Sequence, residues 1–142
     1  MIHFNDYQKQ AYVAIQEHEN NKEEVMHWAI GLGEEAGEAL SVIKHKYYGG
    51  EYSVEDIIAE LGDVMWNVAA LCTALNLDMQ DVVEYNLAKL RHRYPLGEFD
   101  EDRSMARHKL EVDFRTSIAR DKIMERIQTK QKQLEENNDE RI

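Results

Sequence analysis

The sequence predicts an all-α protein in which a four-helix bundle is followed by a long C-terminal helical extension. Three observations carry that expectation. Pro95 is the only proline among 142 residues, so no residue before it is barred from a helix interior. Apolar residues recur at intervals of three and four rather than two. Four polar pairs stand at the spacing of an N-cap and its N3 partner: Asn5 with Gln8, Asn21 with Glu24, Ser53 with Asp56, and Asp78 with Asp81.

These pairs place helices over about 5–19, 21–47, 53–75 and 78–93. The first opens at Asn5. The second carries an apolar stripe at Val25, Ala29, Leu32, Ala36, Ala39 and Ile43, and the third one at Val54, Ile57, Leu61, Val64, Val68, Cys72 and Leu75. Each stripe is expected to face a core. Tyr48, Gly49, Gly50, Glu51 and Tyr52 form the loop between these two helices, and Asn76 and Leu77 form the turn before the fourth. Gly33, Gly37 and Gly62 fall inside helices, where each costs about 1 kcal/mol relative to alanine. Ala29, Gly33, Gly37 and Ser41 make a row of small residues at a spacing of four, which suits close packing by another helix, including one from a second subunit.

Composition changes after Pro95. Residues 1–97 hold 7 basic and 16 acidic side chains, whereas residues 98–142 hold 10 and 12. The expected division is a catalytic helical domain over 1–97 and an extension over 98–142. Sparse apolar positions at Leu110, Phe114, Ile118, Ile123, Ile127 and Leu134 suit a long, partly exposed helix with a frayed end, serving as a docking or oligomerisation arm or as a solvated appendage.

The whole chain carries 17 Lys+Arg against 28 Asp+Glu, a net charge of −11. That balance argues against nucleic acid or an anionic membrane as partner and favours a bound cation. Cys72 is the only cysteine, which excludes an intrachain disulfide or a cysteine-built zinc site and suits a reducing cytoplasm. No leader-like segment opens the sequence and no apolar run approaches the roughly 20 residues of a membrane span.

Glu35 and Glu38 on the second helix, and Glu60 and Asp63 on the third, are each three residues apart and share a helix face beside the apolar stripe. A short loop makes the two helices antiparallel, so four carboxylates converge at one seam. Their mutual repulsion is relieved either by raised pKa values or by a divalent cation. Oxygen-only ligation selects Mg²⁺, with Mn²⁺ as a substitute, over zinc or copper.

Gly-Leu-Gly-Glu-Glu-Ala-Gly-Glu at 31–38, Glu-Leu-Gly-Asp-Val-Met-Trp at 60–66, and Asn86, Lys89, Leu90, Arg93, Tyr94 and Pro95 together resemble the MazG-type nucleoside triphosphate pyrophosphohydrolases, whose pattern is E-E-x-x-E followed by E-x-x-D. Tyr7-Gln8 is similar to the start of many members. The resemblance covers about residues 5–107 and implies an all-α fold assembling as dimers or tetramers. It also implies Mg²⁺-dependent cleavage of a nucleoside or deoxynucleoside triphosphate into monophosphate and pyrophosphate. The family's ligands carry over onto Glu35, Glu38, Glu60 and Asp63, and Glu34, about 100° around the helix from Glu35, is a water-orienting candidate.

Lys89 and Arg93 lie one turn apart, so both can serve one phosphate group, and the resemblance implies that they contact the triphosphate. Asn86 is a further polar candidate, Lys44 and Lys46 are more remote ones, and Arg107 resembles a family arginine in a shifted register. Trp28 and Trp66 are either base-stacking or core residues. Asn67 stands among the candidate substrate contacts where many relatives carry an aromatic. Two other readings compete. A di-iron protein needs two E-x-x-H motifs, and Glu24-Val25-Met26-His27 is the only one in the four-helix segment. A non-catalytic adaptor has no reason to hold four acids at a seam.

Overall fold

The computed structural model describes residues 2–13, 21–51 and 53–139. All regular structure among the described residues is helical, in the order α1 (Phe4–Tyr12), α2 (Asn21–Tyr47), α3 (Val54–Ala74), α4 (Met79–Arg93), α5 (Glu101–Met105), α6 (Arg107–Arg115) and α7 (Ile118–Asp139). The chain divides into two compact units, Met1–Met79 and Gln80–Ile142, so α4 groups with the C-terminal residues. The end of the expected first helix, residues 14–19, and Tyr52 lie outside the described residues.

In the first unit, α3 is the central element, with α2 packed along it and α1 against it. The ends of these helices follow local chemistry. Ser53 caps α3 with a complete capping box: its hydroxyl accepts from the Asp56 N–H at 3.1 Å, and the Asp56 carboxylate accepts from the Ser53 N–H at 2.8 Å. α2 ends where Gly49 turns to φ +87°. The Gly50 N–H then bonds the His45 carbonyl and the Gly49 N–H that of Lys46, a Schellman closure. α3 closes in the same way through Asn76 at φ 53° and the Leu77 N–H on Cys72.

Asn5 does not open α1. His3 occupies that place without a side-chain cap, and Gln8 is used across the chain instead. Its amide donates to the Thr73 hydroxyl at 3.0 Å and the Leu77 carbonyl at 2.9 Å, and its carbonyl accepts from the Met79 N–H at 2.7 Å. One side chain thereby satisfies the turn that follows α3 and ties α1 to it.

Two buried clusters of the first unit gather toward the C-terminal end of α3. Trp28, Ala70 and Ala74 form one cluster, flanked by Val25, Trp66 and Leu71; Ala69, Cys72 and Met79 form another, flanked by Tyr7, Ala11, Val68 and Leu77. Among the described residues of the first unit the apolar stripes are therefore only half covered. Ile43 on α2, and Val54 and Leu61 on α3, stay exposed, as do Ile30, Leu40 and Ile58 beside the stripes. Ala29, Gly33, Gly37 and Ser41 are exposed too. Contrary to the expectation from the sequence, α3 is long and apolar enough to cross a membrane by length and composition. It also carries the acids Glu55, Asp56, Glu60 and Asp63 and packs against α1 and α2.

The second unit replaces the expected single long helix by three shorter ones. Asp100 caps α5 by accepting from the Arg103 N–H at 2.8 Å, and Ser117 receives the Arg120 N–H at 3.2 Å at the start of α7. The Ser117 cap separates α7 from α6, whereas α5 and α6 meet at Ala106, which has no capping side chain. The breaks let the extension fold against α4. Phe114 on α6 is 1% exposed, with its ring 5.3 Å from that of Tyr85 and 5.8 Å from that of His92. Arg103 donates to the last carbonyls of α4, those of Arg93 and His92. Asp81, almost wholly buried, pairs with Arg126 and with Lys130, the latter at 3.0 Å.

Candidate metal centre

The acids stand on the two helices with the most extensive mutual packing, and one close approach sets their spacing. Gly31 on α2 meets Asn67 on α3: a Cβ at Gly31 would lie 2.4 Å from Asn67 Oδ1. Asn67 is 3% exposed, and its amide donates to the Asp63 carbonyl at 3.0 Å, one turn earlier on α3. Because the helices run antiparallel, one turn forward from Gly31 and one turn back from Asn67 bring Glu35 level with Asp63. Three residues further along each, Glu38 stands level with Glu60.

Carboxylate oxygens of Glu35, Glu38 and Glu60 all lie within 4.8 Å of one another. Octahedral Mg²⁺, with oxygens at about 2.1 Å, separates opposite ligand atoms by about 4.2 Å. Adjacent ligand atoms on such an ion stand about 3.0 Å apart, so the three side chains would have to turn inward to share it. Glu35 and Glu60 are half-buried and Glu38 is exposed, so the cluster combines partial desolvation with an open approach. Partial burial raises the Glu35 carboxyl pKa above its ordinary value, and the charges of Asp63, Glu38, Glu34 and Glu60 add to the rise. A divalent cation removes that repulsion, and the oxygen-only donor set fits a hard ion.

Of the four expected ligands, the structure brings Glu35, Glu38 and Glu60 together in this triad. Asp63 stands outside it, yet its charge is the strongest of those acting on Glu35. It also acts on the phenol of Tyr7, whose pKa is raised first by burial and then by Asp63. Glu34 is exposed beside Glu35.

Trp28 is 5% exposed in the core, edge-on to His27 at 4.8 Å and to Trp66 at 5.4 Å. Its indole N–H is enclosed without a hydrogen-bond partner among the described residues. Trp66 donates to the Ala11 carbonyl and so anchors α1. Asn67 is committed to Asp63 and Gly31. These three side chains are thus packed within the first unit.

Lys89, Arg93 and Asn86 belong to α4 in the second unit. Lys89 pairs with Glu111 at 3.5 Å, Arg93 lies over the Tyr94 ring at 5.8 Å, and Asn86 is exposed. Lys44 and Lys46 are exposed at the end of α2, and Arg107 is exposed at the start of α6. Sequence reasoning missed two residues that organise the first unit. Gly31 had a signal in its place one turn before Glu35. Gln8 had its place in the Tyr7-Gln8 resemblance and its pairing with Asn5, and the pairing pointed to the wrong role.

The sequence pattern of the MazG nucleotide pyrophosphohydrolase domain matches residues 20–97, more than half of the chain. A relative, the "Gene 37 protein" of Mycobacterium phage L5, is 37% identical over 73 residues, which are 48% of this chain and 64% of the relative. The chain therefore aligns with less than two thirds of that relative's length. No solved structure matches the chain at a significant level. The acids of α2 and α3 lie within the matched segment, and the chain belongs to the MazG nucleotide pyrophosphohydrolase domain family.

Proposed function

We propose that this chain hydrolyses nucleoside or deoxynucleoside triphosphates to the monophosphate and pyrophosphate, with Mg²⁺ or Mn²⁺ at Glu35, Glu38, Glu60 and Asp63, as a housekeeping enzyme of nucleotide pools. The observation that carries this reading is the convergence of Glu35, Glu38 and Glu60 oxygens within 4.8 Å on two packed helices. When bound, the cation neutralises phosphoryl oxygens and acidifies water. Water attack at the α phosphorus breaks the bond to the α–β bridging oxygen and releases pyrophosphate.

The protein's own part is to position and to accept a proton. Glu34 is the candidate to orient the attacking water, and a carboxylate of the set not fully used as a ligand takes its proton. Lys89 and Arg93, with Asn86, are candidate triphosphate contacts on the resemblance described above. Trp28 and Asn67 are retained as supports of the site more than as base contacts, because both are buried. The exposed apolar residues of α2 and α3, together with the small-residue row, support assembly of copies of this chain as a dimer or tetramer. Residues 1–97 would supply the catalytic domain, in a reducing cytoplasm, with neither nucleic acid nor membrane as partner.

The test is a screen of the common ribo- and deoxyribonucleoside triphosphates with Mg²⁺, identifying both products. Pyrophosphate and monophosphate are expected from at least one, with Glu38→Ala and Asp63→Ala inactive while their circular dichroism stays helical. Absence of pyrophosphate at any enzyme concentration would instead support a non-catalytic adaptor.

A further inference from the structure

The lysine read as a phosphate contact already has an anionic partner, supplied by the C-terminal extension. Lys89 Nζ lies 3.5 Å from Glu111 Oε1 on α6, and both side chains remain partly exposed, at 28% and 33%. Glu111 is held in that place by more than its own ion pair. Phe114, on the same helix three residues later, is sunk between Tyr85 and His92 of α4. Arg103 closes the end of α4, and Arg126 and Lys130 fasten α7 to Asp81. A carboxylate is therefore mounted on a packed helix, opposite an ammonium that solvent still reaches.

We propose that Glu111 is a built-in counter-ion of Lys89: a positioning residue that occupies the ammonium group until a substrate phosphate displaces it. It thereby sets the triphosphate concentration at which the enzyme works. The inference rests on the reading of Lys89 as a phosphate contact. Its physical basis is competition. A phosphate oxygen approaching Lys89 must replace the carboxylate as partner and then lies near a like charge. Because the cost falls on binding of substrate and of transition state alike, it belongs in KM and not in kcat.

The experiment uses the full chain, Mg²⁺ and a triphosphate that it turns over, comparing wild type, Glu111→Gln, Glu111→Asp, Lys89→Ala and the Lys89→Ala/Glu111→Gln double variant. Partly exposed ion pairs are weak, so Glu111→Gln is expected to lower KM about two- to five-fold with kcat unchanged. Glu111→Asp, which keeps the charge, should stay near wild type. Adding Glu111→Gln to Lys89→Ala should change nothing. Calorimetric binding of inorganic tripolyphosphate with Mg²⁺ should tighten in Glu111→Gln by the same factor. An unchanged or raised KM in Glu111→Gln, or an equal change in the Lys89→Ala background, overturns the proposal. If Glu38→Ala abolishes turnover while Lys89→Ala and Glu111→Gln behave as wild type, the counter-ion proposal fails and the acidic site stands. If wild type neither releases pyrophosphate nor binds tripolyphosphate, both fail.

Discussion

Replacing Gly31 by alanine tests the contact that spaces the two acid-bearing helices. The added Cβ would stand 2.4 Å from Asn67 Oδ1 and 3.4 Å from its Cγ, both inside contact distance. Asn67 cannot step aside cheaply, being 3% exposed and bonded to the Asp63 carbonyl. Gly33, two residues on in the same helix, has nothing within 4 Å of its Cβ position. Both substitutions gain the same helix preference, about 1 kcal/mol, so the difference between them isolates the clash. Overpacking of this kind costs about 1–3 kcal/mol. Gly31→Ala should therefore be about 2 kcal/mol less stable than Gly33→Ala. Guanidinium unfolding with matched m-values measures the difference. A divalent-cation titration should also show weaker binding in Gly31→Ala alone, because the displaced Asn67 lies one turn from Asp63. Equal stability of the two variants would refute the close approach, and with it the account of how the acids are spaced.

Other outcomes follow from particular groups. Hydrogen bonds from Gln80 and Arg126 hold the Glu84 carboxyl pKa below its ordinary value, so its stabilisation is full above the unfolded-state pKa and is lost as pH falls through the depressed folded one. The urea midpoint of wild type should exceed that of Glu84→Gln near neutrality and converge with it in acid; a gap that persists in acid would contradict this. Burial raises the Cys72 thiol pKa, so iodoacetamide should label it only on unfolding, and rapid labelling of the native protein would show that the Ala69–Cys72–Met79 cluster opens. Sedimentation should find the chain self-associated, with Leu61→Glu shifting it toward monomer, since Leu61 is half exposed on the acid-bearing helix; a wild-type monomer at every concentration would remove the support that the apolar faces give to assembly.

Helix positions were legible wherever the signal was local. The Ser53–Asp56 box, the Gly49 turn and the Asn76 turn appear where residue chemistry puts them. Asn5 with Gln8 shows the limit: the spacing matches a cap pair, but the amide is recruited by a turn almost seventy residues away. The single helix expected in the extension is divided at Ala106 and at Thr116–Ser117; only the second break carries a capping side chain, and one weak stripe runs straight across it. Acid pairs at a spacing of three, on neighbouring helices, were enough to place Glu35, Glu38 and Glu60 at one seam. The pairing of Gly31 with Asn67 was not readable, since it depends on the register between α2 and α3. The half-covered stripes were read as core because periodicity reports an apolar face and not what covers it.

The α2–α3 acids are proposed to hold a divalent cation. Titrating the metal-free protein with Mn²⁺, followed by its paramagnetic resonance signal, tests this directly against Glu60→Gln, which keeps the side chain's shape and removes one triad charge. Saturable binding in wild type and at least about tenfold weaker binding in Glu60→Gln are expected, since a fall to one-tenth of the affinity constant corresponds to only about 1.4 kcal/mol. Equal Mn²⁺ binding by the two proteins, or none by wild type, would contradict the claim.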